Sequence, residues 1–553
     1  MSRKISGILI LIILCTSLAS CGMSVQGLSK NSENTGSQQS QNGDSVLDKG
    51  PVQGGTINLF TTVPDSLNPI LSSNLYVQSF SRFVYEGLFK TGKDQSAVPE
   101  LCDKWEVSPD GLTWTFHIRE NVMWQDNIQL TAEDVEFTVS TILNPAIKSI
   151  YKTNLQNVLS FAAIDRNNFR MVLKKADSFT PESLIFPIIS KHSFSGEDVA
   201  NSQENMKPMG TGPYKFISYD GKTVKFVVNE AWWGLAEKKD NSPRKPYISE
   251  IDVKVYKNSS DALNALQSKN IDVAFSDALE SSRYNGNASI AIKKYPGRNF
   301  DYIAFNMTKP VTADKSVRQA IAYTLDKNRI INDVASGGAT ESQLPIFPNS
   351  WLGESLTYTY THDVNKAKEV LSQNGWKVSN GVNYKNINGV YRELTLNLLV
   401  NDDNETRSKI ADDIKAQLAE AGINVNIQKL PFDQEFKQIS SKQYDIAIVG
   451  VSSASRPDLS FEYASSEIAT GKNIAGYSNT QVDSLLGQIL NTNDNQNKKM
   501  SYSSLNNIIN DEIPYIGLFY YDNAVLYNKR IKGDLSPYYA DLYNDITGWY
   551  IPG

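Results

Sequence analysis

Three histidines, three cysteines and a scatter of adjacent acids are the side chains of this 553-residue sequence best suited to chemistry. His117, His192 and His362 stand far apart. None has the HExxH-type spacing that puts two imidazoles on one helical turn around a metal. There is no G-x-x-x-x-G-K-[ST] phosphate loop, no C-x-x-C pair and no G-x-S-x-G turn. Asp402-Asp403 and Asp412-Asp413 are sequence neighbours of the kind that polar segments turn toward solvent. Catalytic residues, a metal and a cofactor are accordingly not expected.

One cysteine does carry a signal. Arg3 and Lys4 precede an apolar run from Ile8 to Leu14, too short to span a bilayer, and Leu18-Ala19-Ser20 lead into Cys21. An ordinary secretory peptide with an incidental cysteine is the plainer alternative. The LASC stretch, however, resembles residue by residue the bacterial lipobox cut by signal peptidase II. Residues 1–20 then read as a lipoprotein signal peptide, and Cys21 as the lipid-bearing first residue of the mature chain. More than one fatty chain is needed for durable membrane anchoring. Residues 21–50 are rich in Ser, Asn, Gln and Gly with little to bury, a flexible tether with a root-mean-square reach of roughly 25–30 Å. The expected location is the outer face of the cytoplasmic membrane.

The remaining chain is long enough for about three or four domain-sized units. Hydrophobic residues at 40% and aromatic residues at 10% are those of a soluble globular protein, and no later apolar run is long enough to cross a membrane. Removal of Arg3 and Lys4 takes the formal charge from −6 to −8, which argues against a nucleic-acid partner. Cys15 leaves with the signal and Cys21 is the anchor. Cys102 therefore has no disulfide partner and reads as a small core residue.

The elements that would position a site are legible in places. Residues 54–59 read as a glycine-punctuated entry into a strand, and TWTFHI (113–118) alternates like a strand after an Asp110-Gly111 turn. Thr131 with Asp134 three positions on reads as a helix cap. Val135, Thr138, Val139 and Ile142 follow on one face. The spacing of Val317, Ile321, Leu325 and Asn328 predicts one helix through 317–331. Ile410, Ile414 and Leu418 predict a helix that stops at Gly422, with a strand from Ile423 to Ile427. Tyr444–Gly450 reads as a buried strand. Helices alternating with strands indicate α/β lobes.

Eight blocks now fall in a recognisable order: 68–89 (NPILSSNLYVQSFSRFVYEGLF), 110–139, 208–216 (PMGTGPYKF), 229–234 (NEAWWG), 303–330, 363–376, 444–461 (YDIAIVGVSSASRPDLSF) and 512–533. From Gly54 to the C-terminus the chain resembles the extracellular solute-binding proteins of peptide/nickel ABC transporters, family 5. The lipobox fits the Gram-positive form of such receptors. The resemblance implies an α/β, two-lobed, periplasmic-binding-protein-like (type II) fold with an extra domain inserted in the first lobe. Lobe I is expected over 51–89, 208–296 and 522–553, the inserted domain over 90–207, and lobe II over 297–521. Chain crossings near 297 and 521 form the hinge. The implied function is to capture a peptide between closing lobes and deliver it to ABC permease subunits, as a monomer and without catalysis. Nickel chelates, oligosaccharides and other solutes are alternative cargoes. A lipid-anchored surface hydrolase or adhesin is the reading from another class, which the missing nucleophile motifs disfavour. Trp105, Trp114 and Trp124 are expected in the core.

The resemblance also implies ligand-binding positions. Ser73, Asn74 and Leu75 match a first-lobe loop that lines the cleft, and Phe432 occupies an aromatic position near the ligand. Peptide binders of the family hold the ligand amine with an aspartate in a G-W-x-[AG]-D segment. Here the segment runs Gly450-Val451-Ser452-Ser453-Ala454-Ser455-Arg456-Pro457-Asp458, with Ala454 at the aspartate position. A buried ammonium without a carboxylate is strongly unfavourable. Either Asp458 takes the role, its alternative being a cap on a helix starting near Leu459, or the cargo has no buried free amine. Ser452 and Ser453 belong to the same loop, and Arg456 is a candidate partner for a ligand carboxylate.

Overall fold

A computed structural model describes residues 50–194, 198–236, 238–239, 242–243 and 245–553. Cys21 and the segments expected to be a signal peptide and a tether lie, up to residue 49, outside the described residues. The first expected strand is Thr56–Thr61, whose Ile57, Leu59 and Phe60 are buried. It pairs in parallel with Glu250–Val255, and Thr223–Val228 and Tyr214–Tyr219 complete a four-stranded sheet.

The segment after Phe89 builds its own antiparallel sheet in the order Cys102–Val107, Thr113–Ile118, Asn168–Leu173, Val158–Ala163. Trp114, Phe116 and Ile118 alternate inward along Thr113–Ile118, as the period of two requires. Gly111, at φ +71°, takes the tight turn before it. Helix Ala132–Leu143 starts at a capping box in which the Asp134 side chain accepts from the Thr131 backbone N–H. Cys102 is buried, and burial pushes its thiol up to about 12, which fits a packing role. Trp114 and Trp124 are core residues, but Trp105 is 40% exposed: its strand is the sheet's edge, and its ring meets Phe89 edge to face. This sheet shares one hydrophobic core with the first sheet.

A larger sheet runs in the order Val273–Asp277, Tyr515–Asn528, Ile290–Phe305, Ile446–Ser452, Thr395–Asn401, Asn424–Leu430, with Ala339–Glu341 joined to Tyr515–Asn528. Its two longest strands cross from one core to the other. Ile290, Tyr295, Ala524 and Leu526 pack in the first core; Ile303, Phe305, Ile516 and Leu518 pack in a second. Between these stretches the antiparallel register slips from Pro296↔Asp522 to Phe300↔Tyr520. Gly297 sits in the slip, where a Cβ would stand 2.8 Å from the Tyr521 carbonyl oxygen. Such an irregularity bends a strand and increases its twist. The fold is α/β and two-lobed.

The helix predicted through 317–331 is broken. Lys315–Thr324 ends at Leu325, whose ψ of 119° is extended, and Lys327–Arg329 restarts under the Asp326 cap, followed by a π turn over Ile330–Val334. The Gln417 Oε1 accepts the Asp326 N–H at 2.6 Å, satisfying the donor that the break frees. Elsewhere the later half follows its pattern: helix Glu405–Glu420, then strand Asn424–Leu430.

Candidate functional site

Parallel strands leave their carboxyl ends in register, and the loops that follow them define a crevice in open α/β sheets. In the first lobe the loop after Thr61 is organised by Asp65. Its carboxylate accepts the Ser72 hydroxyl at 2.5 Å, the Ser73 N–H at 2.8 Å and hydroxyl at 3.1 Å, and the Ser66 N–H at 2.9 Å. Burial alone would raise this carboxyl, but the hydrogen bonds from Ser72, Ser73 and Ser66 hold it below the usual range. The Asn74 side chain caps helix Leu75–Ser81 through Tyr76 N–H at 2.9 Å and donates to the Thr62 hydroxyl at 2.8 Å. Ser73 and Asn74 are thus tied into the loop, while Leu75, 79% exposed, projects outward.

In the second lobe Thr395–Asn401 is parallel to both Asn424–Leu430 and Ile446–Ser452. The loops beyond them bring Asn401–Arg407, Pro431–Phe436 and Ser452–Asp458 to one end of the sheet. Phe432, 54% exposed, opens helix Phe432–Ser440, its N–H donating to Asp403 at 2.6 Å and its ring stacked on the exposed Phe436. Beneath this helix lies a polar group that sequence reasoning missed. Arg407 clasps the fully buried Asp301 through two bonds of 2.6 and 2.9 Å and reaches Asn401 at 3.1 Å, and the Tyr521 hydroxyl donates to Asp301 at 2.7 Å. A Cβ on Gly450 would overlap the Arg407 guanidinium. Glu435 is turned inward beside this pair, and burial pushes its carboxyl up to about 7 against the pull of Arg407. No local signal marked the buried pair, since Asp301 lies 106 positions from Arg407 and 220 from Tyr521.

The Ser452–Asp458 loop is closely held. Ser453 donates its N–H to Arg298 O at 2.8 Å, accepts from Arg298 Nε at 3.0 Å, and shares a 2.7 Å hydroxyl bond with Tyr520. Ala454 O accepts from the Gln95 side chain at 3.2 Å, and Pro457 O from the Tyr502 hydroxyl. The Arg456 guanidinium lies between two carboxylates, Asp177 at 2.5 Å and Asp458 at 2.9 Å. The second oxygen of Asp458 accepts the Ser460 N–H at 2.9 Å, at the start of helix Ser460–Tyr463, one residue later than expected. Both oxygens of Asp458 therefore have partners within the chain. Among the described residues, no hydrogen bond joins the Thr62–Leu75 loop or Phe432 to this loop, and no group of three or more His, Cys, Asp or Glu could hold a metal ion. No helix of the described residues is long and apolar enough to cross a membrane.

A model of the bacterial extracellular solute-binding proteins, family 5, matches residues 96–470. The chain is 25% identical over 565 residues to the oligopeptide-binding protein AppA of Bacillus subtilis, covering 98% of this chain and 97% of that protein. It is also 25% identical over 496 residues to heme-binding protein A of Haemophilus influenzae, covering 84% and 87%. Among solved structures, HbpA2 of Haemophilus parasuis superposes with a TM-score of 0.75 at 22% identity, over 90% of this chain and 100% of that one.

Proposed function

This chain belongs to the bacterial extracellular solute-binding proteins of family 5, and we propose from that premise that it is the receptor of an ABC importer for peptides. Cargo enters between the two lobes, whose closure buries it and creates the form that permease subunits recognise. Ligand contacts from both lobes must favour the closed state for binding to close it. The match across residues 96–470, with an oligopeptide-binding relative aligned along 98% of the chain, carries this reading. The protein acts as a monomer and catalyses nothing.

The hinge lies at crossings near 297 and 521. Lobe I comprises 51–89, 208–296 and 522–553, the inserted domain 90–207, and lobe II 297–521. The division of the two cores and the register slip at Pro296–Phe300 support these limits. Ser73, Asn74 and Leu75 face cargo from lobe I. Phe432 and the loop of Ser452, Ser453, Ala454, Arg456 and Asp458 do so from lobe II. Cys21, after its signal is cut, carries the lipid that holds the receptor at the outer face of the membrane of a Gram-positive type cell.

A second reading keeps the receptor and changes the cargo. Ala454 brings no carboxylate for an ammonium, and both oxygens of Asp458 are already bonded. A solute without a buried amine fits that arrangement, and one relative of equal identity is named for heme. Native mass spectrometry of the protein from Cys21 onward, alone and with a random pentapeptide pool, tests both. Retained masses matching pentapeptides support the first reading. Rejection of every pentapeptide alongside retention of a non-peptide mass overturns it in favour of the second.

A further inference from the structure

We propose that the segment 90–207 has a task beyond packing on the first lobe: it clamps the 453–458 loop, with Asp177 and Gln95 as positioning residues for cargo binding. The proposal rests on the assignment of that loop to the cargo cleft made above. Between strand Ile446–Ser452 and helix Ser460–Tyr463 the loop has no ladder of its own. Fixing its residues costs backbone entropy, which outside contacts must offset.

Two of those contacts come from residues outside the second lobe. The Gln95 amide reaches Ala454 O, and Asp177 pairs with Arg456. Gln95 sits at φ +68°, a left-handed conformation in which glycine or asparagine is less strained, at the tip of the hairpin joining Phe89–Thr91 to Ala97–Pro99. Strain kept at one residue whose side chain makes a long-range bond points to that bond as its reason. The same hairpin is pinned where Asp94 O accepts the Trp351 N–H at 2.8 Å.

Asp177 is itself seated by a plug. Ser178 donates its N–H to Leu490 O at 2.8 Å and its hydroxyl to Ile489 O at 2.7 Å, and Lys498 Nζ donates to Ser178 O at 3.1 Å. Phe179 leaves the core of its own sheet and is buried, with 0% exposure, in a cluster that also holds Tyr463, Tyr502 and Tyr520. The cations of Arg456 and Lys498 lie 5.6 and 4.6 Å from its ring centroid. Arg456 thus also ties the loop to the inserted segment, and Asp458 holds the same guanidinium from the loop's own side. Because the plug grips the second lobe while its sheet packs on the first, any opening at the Pro296–Phe300 slip must withdraw Phe179 or carry residues 177–180 along.

Hydrogen–deuterium exchange on the cargo-free protein reads the clamp without depending on cargo. Asp177→Asn, which keeps the side-chain volume and removes the charge, should speed exchange across 453–458 about tenfold and lower retention of the pentapeptide pool by a similar factor. Asp177→Glu should restore most of both, and Asp165→Asn in a hairpin turn of the same segment should change neither. Exchange within twofold of the parent in Asp177→Asn, or a rise spread over the whole second lobe, overturns the clamp. Faster local exchange with unchanged retention overturns its role in cargo binding. A parent that retains no pentapeptide refutes the peptide reading and leaves the exchange result to judge the clamp.

Discussion

Asp301 has no exposed surface, and its oxygens are held by Arg407 and the Tyr521 hydroxyl. Arg407→Met should therefore lower stability by roughly 3–5 kcal/mol in urea unfolding, because it strands a buried carboxylate. Adding Asp301→Asn to it should recover part of the loss. Glu462 behaves in the opposite way: burial alone pushes its carboxyl up to about 8 from an ordinary 4.5, and one of its oxygens has no hydrogen-bond partner among the described residues. Below about 4.5 the group is protonated whether the chain is folded or not. Between about 4.5 and about 8 only the unfolded chain ionises, so stability falls as pH rises, by at most about 1.4 kcal/mol per pH unit from this one group. Glu462→Gln should flatten the decline measured by chemical denaturation between pH 5 and pH 8; an unchanged slope would place the titration elsewhere. Sequence resemblance placed Ser73, Asn74, Arg456 and Asp458 in loops, yet could not give their partners. Asp177 lies 279 positions from Arg456, and nothing near either residue announces the pair.

Elements were legible where their determinants are local. TWTFHI alternates and is a strand, and Thr131 with Asp134 starts a helix, because pleat and cap are set within a few residues. Asp134 also accepts the Lys191 N–H at 2.9 Å, so Asp134→Ala removes a cap and leaves buried donors unpaired. The expected cost is about 2–3 kcal/mol, read from the thermal or urea midpoint of the whole protein, whereas Thr131→Ala should cost nearer 1 kcal/mol. The break at Leu325 was not legible, since Leu325 continues the apolar stripe that Val317 and Ile321 begin. What ends the helix is tertiary: Gln417, on another helix, takes the N–H that the break releases, and Asp326 caps the next turn. Trp105 was misplaced for a similar reason, because strand order rather than residue type decided its exposure.

At the scale of the molecule, the two-lobed architecture came from the order of eight sequence blocks, not from periodicity. No local pattern reveals that strands 290–305 and 515–528 serve two cores in turn, or that Gly297 admits the Tyr521 carbonyl where they slip. The receptor account puts its motion at that slip and its cargo between the lobes. Small-angle X-ray scattering of the protein from Cys21 onward, with and without a pentapeptide pool shown by calorimetry to saturate it, tests this most directly. The account expects the radius of gyration to fall on peptide binding, as two lobes close on a buried ligand. Identical scattering from free and peptide-saturated protein would contradict it.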